Sequence, residues 1–149
     1  MKYFAYGLNL NVKQMSGRCP GASLKESAWL RGWQYYINGN GYAGIEKNIN
    51  SKVWGRLWTV SEENLKSLDR YEAVALGYYD RTSIEVEIIA TGEMEEAWVY
   101  LSNDKNYGVP SDEYQKIVMD GANQVGMPED ELCNLQSWAR GNKFQGNCS

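Results

Sequence analysis

An α+β domain is what this sequence predicts. Apolar and polar residues alternate with a period near two from Ser23 to Asn38, from Lys52 to Val60, from Thr82 to Ala90 and from Glu95 to Leu101, as strands with one covered face do. Spacings of three and four mark the stretches that open at Ser61, Ser111 and Pro128. Strands, a helix, further strands and then helices follow in blocks, which is the order of an α+β domain.

Lys2–Tyr6 is a short apolar strand that breaks at Gly7, and Asn9–Ser16 suits one or two helical turns before the breaker Gly17–Gly21 with its Pro20. Ser23–Asn38 reads as a long strand or hairpin half ending in the turn Asn38-Gly39-Asn40-Gly41. A weak strand at Tyr42–Glu46 and a stronger one at Lys52–Val60 follow. Ser61 is a good N-cap, with Glu62 and Glu63 suited to the helix dipole and Val60 able to staple to Leu65. Ile84, Val86 and Ile88 alternate with Glu85 and Glu87, and Glu95–Leu101 is the hairpin partner across Thr91-Gly92. Ser111 opens the clearest amphipathic helix, and Pro128 opens a last one carrying Leu132, Leu135 and Trp138. One domain is expected over 1–140, with a tail, 141–149, that lacks apolar periodicity and frays.

The net charge of -4, with Lys and Arg scattered, argues against a nucleic-acid partner. No apolar run approaches the roughly 20 residues that cross a bilayer, and the first residues are too polar for a secretory segment. The expected setting is cytoplasmic, with no membrane partner. Cys19, Cys133 and Cys148 stand far apart without a Cys-x-x-Cys pair, and histidine is absent, so no metal set is legible and reduced thiols are expected. Lack of an imidazole also excludes Ser-His-Asp and Cys-His catalysis. An enzyme made from this chain moves protons with a carboxylate or with a group of its substrate.

Two places fit that requirement. In Tyr3-Phe4-Ala5-Tyr6-Gly7-Leu8-Asn9 an apolar strand runs straight into a glycine turn, whose free amides are able to hold a polarised oxygen. Leu65, Leu68 and Glu72 stand at i, i+3 and i+7, so a helix that runs that far turns the Glu72 carboxylate inward with them. Donors beside an inward acid suggest acyl transfer without a metal.

Taken together, Tyr6-Gly7-Leu8-Asn9 and Leu68-Asp69-Arg70-Tyr71-Glu72 resemble two motifs of the γ-glutamylcyclotransferase family, a Tyr-Gly-Ser-Asn loop after the first strand and a catalytic Glu after a Leu-Asp pair. Pro110-Ser111-Asp112-Glu113-Tyr114 with Gly121-Ala122 and Gly126-Met127-Pro128 is similar to the helix after the catalytic strands in the cytosolic members. The resemblance implies a small mixed β-barrel flanked by helices, with the pocket at one mouth. It implies Glu72 as acid and base, Tyr6, Gly7, Leu8 and Asn9 as the substrate loop, and Tyr79, Tyr100 and Tyr114 as pocket tyrosines. It further implies a small γ-glutamyl substrate cyclised to 5-oxoproline, no cofactor, no metal, and a monomer or homodimer; γ-glutamyl amino acids, a γ-glutamyl ε-lysine isopeptide and a γ-glutamyl cap on a biosynthetic intermediate all present the same reacting half. Leu8 replaces the usual Ser and Ala73 the usual Gly. Two readings of other classes stay open: a silent binding module of the same fold, and a sugar-binding β-protein using Trp29, Trp33, Trp54, Trp58 and Trp98.

Overall fold

The computed structural model of the protein describes residues 1–140, and the expected tail, 141–149, lies outside the described residues. Its strands are β1 (Lys2–Ala5), β2 (Ser23–Ile37), β3 (Ala43–Thr59), β4 (Tyr79–Ile88) and β5 (Met94–Ser102). They close into a barrel in the order β1-β3-β2-β4-β5. Only the β1–β5 seam, Tyr3 opposite Trp98, is parallel. The expected mixed barrel is therefore present. Because β1 has a neighbour on each edge, it reads as an almost unbroken apolar run, with Phe4 fully buried.

β3 departs from expectation: the two predicted strands are one. Its polar stretch Asn48–Ser51 bulges out opposite Gly32, between the pairs Trp33–Lys47 and Arg31–Lys52, and leaves Ile49 92 % exposed. Gly32 has a φ of 85°, the left-handed conformation that the bulge takes there. β4 starts at Tyr79, earlier than the alternation suggested, because Tyr79 and Arg81 pair with Ser102 and Tyr100 past the end of the amphipathic pattern.

The helices are α1 (Val12–Arg18), α2 (Glu62–Tyr71), α3 (Asp112–Gln124) and α4 (Glu129–Ser137). Ser61 caps α2 by accepting from the Asn64 N–H while the Asn64 side chain accepts from the Ser61 N–H, a capping box with Asn in the usual Glu or Gln place. Ser111 caps α3 through the Tyr114 N–H. α3 lies close against the turn that enters α1. A Cβ built on Gly121 would stand 2.5 Å from the Asn11 backbone, so glycine sets that approach.

The thiols divide. Cys19 is buried and free, and burial pushes it up to about 11. Cys133 is disulfide-bonded, against the expectation of reduced thiols.

Candidate active site

α2 stops one residue before the expected inward acid. Glu72 is its C-cap, at φ -85° and ψ 1°, yet its N–H still donates to the Leu68 carbonyl at 2.8 Å. The helical direction thus persists to Glu72, and Leu68 below it is fully buried. Ala73 then takes a φ of 52°, the left-handed turn that ends the helix and usually calls for glycine. Glu72 is partly exposed as a residue, because this helix end is at the surface. Its carboxyl nevertheless lies deep enough for loss of water to dominate: burial pushes it up to about 7, with Arg18 pulling the other way.

That carboxyl lines a cavity of about 880 Å³ at the barrel mouth. Tyr6, Gly7, Leu8, Asn9, Tyr79, Tyr100 and Tyr114 line the same cavity, so the residues singled out in the sequence converge on one place. Gly7 is needed there for space. A Cβ on it would come within 2.8 Å of the Ala43 Cβ. After Gly7 a 3₁₀ turn, Leu8–Leu10, uses the N–H groups of Leu10 and Asn11 on the carbonyls of Gly7 and Leu8, each at 3.0 Å. The N–H groups of Gly7, Leu8 and Asn9 precede that turn and have no acceptor among the described residues.

The hydroxyls of the lining fall into two sets, separable by proton direction. Tyr6 donates to the Tyr100 carbonyl at 2.7 Å, Tyr79 to the Ala43 carbonyl at 2.6 Å, and Tyr100 to Asp69 Oδ1 at 2.7 Å. Those hydroxyls keep only lone pairs for a guest. Tyr114 instead accepts from the Ala43 N–H at 3.0 Å, and Tyr3 accepts from Asn9 Nδ2 at 2.9 Å. Both therefore keep a proton to give. Burial raises all of these phenols above their ordinary value, and the charge of Glu72 adds to the rise at Tyr3, Tyr6, Tyr79 and Tyr114. They are neutral donors and acceptors near pH 7.

Other groups escaped the sequence reading. Arg18 lines the cavity, donates from Nη1 to Asn9 Oδ1 at 3.2 Å and stacks 4.4 Å above the Tyr71 ring. An arginine in the last turn of a helix is dipole-favoured anyway, so nothing local marks it. Tyr3, inside the first strand, also lines the cavity. Asp69 accepts from both Tyr100 and Arg81 Nε, the latter at 2.9 Å, and so ties α2 to β4 and β5. The tryptophans proposed as sugar platforms are elsewhere. Trp54 and Trp58 are buried, while Trp29, Trp33 and Trp98 lie under Lys52, Lys47 and Arg81 and not in the cavity.

Comparison with known proteins agrees with this geometry. Residues 52–135 match the AIG2-like family. The γ-glutamylcyclotransferase of Homo sapiens is 33 % identical over 138 residues, covering 85 % of this chain and 72 % of that protein. The enzyme of Bos taurus is 31 % identical over 159 residues, covering 99 % and 82 %. A solved γ-glutamyl cyclotransferase superposes with a TM-score of 0.85 at 28 % identity, covering 100 % of this chain and 93 % of the other.

Proposed function

The chain belongs to the γ-glutamylcyclotransferases of the AIG2-like family, and from that premise we propose that it converts γ-glutamyl amides to 5-oxoproline and a free amine. The observation that carries the proposal is the enclosed Glu72 carboxyl, pushed up to about 7, in a cavity also lined by the open amides of Gly7, Leu8 and Asn9.

The substrate brings its own nucleophile. Its α-amine reaches the γ-carbonyl carbon to close a five-membered ring, and the bond from that carbon to the amide nitrogen breaks. Holding the folded conformer turns this into a pre-oriented unimolecular step, for which effective molarities of about 10⁵ M and above are known. The α-nitrogen gives up two protons in passing from ammonium to ring N–H; Glu72 takes them in turn and returns both to the departing nitrogen, which leaves as an ammonium, so proton and atom counts balance without water or cofactor. A carboxyl near 7 suits both directions at neutral pH.

Amides of the Gly7–Asn9 turn hold the oxyanion at the γ-carbon, each contributing about 3 kcal/mol to the transition state. Arg18 faces the α-carboxylate, and the free hydroxyl protons of Tyr3 and Tyr114 complete the grip. Leu8 in place of Ser fits a loop that works through its backbone. The same reading takes the protein as a cytoplasmic monomer or homodimer acting on a small substrate; no helix among the described residues is long and apolar enough to cross a membrane.

The test is release of 5-oxoproline from a panel of γ-glutamyl amides, by the native protein and by Glu72→Gln. Ring product from the native protein and a loss of at least about a hundredfold in the variant are expected. Ring release by the variant at the native rate would remove Glu72 from the chemistry.

A further inference from the structure

The cavity holds more charge than the ring closure uses. Arg18, Glu72 and Asp104 are the formally charged side chains of its lining. In the reading above, Glu72 serves the nitrogens and Arg18 the α-carboxylate. Asp104 is left over, and no lysine or second arginine lines the cavity beside it.

Asp104 is firmly placed. Its carbonyl accepts from the Tyr36 hydroxyl at 2.8 Å, and its N–H donates to Ser102 Oγ at 3.2 Å. Ser102 Oγ also accepts from Asn38 Nδ2 at 3.0 Å, and Asn38 Oδ1 accepts the N–H groups of Asn40 and Tyr42, each at 3.0 Å. Asn38 and Ser102 are both buried. The β2–β3 turn and the segment after β5 are thereby joined into one wall of the cavity.

On that wall Asp104 Oδ1 accepts from the Asn106 N–H at 3.0 Å, whereas Oδ2 has no hydrogen-bond partner among the described residues. A Cβ built on Gly39 would stand 2.8 Å from Oδ2, so glycine at 39 keeps the space in front of that oxygen open. Tyr42, on the same wall, is 51 % exposed. Asp104 follows β5 and is tied through Ser102 to the β2–β3 turn, whereas Glu72 ends α2, so the two carboxylates reach the cavity from different elements.

We propose that this wall is the leaving-group subsite, and that Asp104 selects γ-glutamyl amides whose departing amine carries a second, positively charged nitrogen and no carboxylate. The inference rests on the γ-glutamylcyclotransferase reading. A departing amino acid brings its carboxylate toward Asp104 with no free cation to meet it. A neutral amine leaves Oδ2 unpaired, while a cation pairs with it and lies against the exposed Tyr42 ring. The second nitrogen is a spectator, and the bonds made and broken are unchanged.

Three γ-glutamyl amides of equal chain length decide the matter: those of a four-carbon diamine, of butylamine and of γ-aminobutyrate. At low salt kcat/KM is expected to be at least about fivefold higher for the diamine amide than for the butylamide, with the acid slowest and the spread shrinking as salt rises. In Asp104→Asn the diamine-to-butylamide ratio falls to about one, and Asp104→Glu keeps part of the preference. Each ratio is taken within one variant, so loss of folded protein cancels. Equal rates for the native protein, preference for the acid, or a ratio that survives Asp104→Asn overturns the inference and leaves cyclisation standing. Ring product from none of the amides overturns the cyclotransferase reading and this inference with it.

Discussion

Arg18 Nη1 lies 3.2 Å from Asn9 Oδ1, and that contact decides which way the Asn9 amide faces. A guanidinium only donates, so Oδ1 turns to Arg18 and Nδ2 to the Tyr3 hydroxyl, which is left with its proton for the cavity. One arginine thus sets a charge, an amide and a phenol together.

Replacing Arg18 by Ala is expected to raise KM by about one to two orders of magnitude, the usual worth of a charged hydrogen bond. The acid limb of the pH profile should move to higher pH as well, because Arg18 holds Glu72 down. Arg18→Lys restores the charge but not the planar stack on Tyr71, so it should recover the limb more fully than KM. Michaelis and pH profiles of both variants check this. An unmoved limb would confine Arg18 to substrate binding.

The activity should rise with pH through about 7 as Glu72 loses its proton. Steady-state kcat/KM from pH 5 to 9 is the measurement, and a limb near the ordinary carboxylate value of about 4.3 would mean that the acid is solvated.

Stability should run the other way. Glu72 is raised on folding, so the native state binds more protons than the unfolded chain between about 4.5 and 7, and stability falls as pH rises through that window. Glu72→Gln removes the burden. At pH 8 the variant should be more stable, by at most about 3 kcal/mol, while inactive. Denaturant titrations at pH 5 and 8 would show the gain only at the higher pH.

Gly7→Ala places a methyl 2.8 Å from the Ala43 Cβ, against a residue whose N–H and carbonyl both bind cavity tyrosines. A loss of about 1 to 3 kcal/mol in stability is expected, with a fall in kcat as the loop moves. The double variant Gly7→Ala, Ala43→Gly should recover most of both, and failure to do so would locate the damage in the loop's own backbone.

Ala73→Gly relieves the left-handed φ of 52° just after Glu72. The gain should be about 0.5 to 1 kcal/mol, the left-handed penalty less the added freedom of the unfolded chain. A higher urea midpoint at constant slope is the expected result, and a drop in kcat would show that Ala73 also fixes the acid.

Much of this was legible in the sequence because the signals are local. Alternation gave the strands, Ser61 and Ser111 gave the helix starts, and the spacing from Leu65 to Glu72 gave the inward acid. What was missed depends on pieces far apart in the chain. Asp69 looks solvated until β4 and β5 bring Arg81 and Tyr100 to it. Arg18 and Asp104 gain meaning only when the barrel mouth gathers them. The Asn48–Ser51 interruption was visible, but whether it ends a strand or bulges from one depends on the partner strand.

The first strand is held by one made much later: β1 closes against β5 through Tyr3 and Trp98. A ribosome therefore releases the substrate loop long before the staves that fix it have been made. Until β5 emerges, β1 has one bare edge and the Gly7–Asn9 turn swings from it unframed. Cyclisation should thus be a late arrival in synthesis: an arrested chain ending before Met94 would carry Glu72 and the whole loop yet turn over nothing.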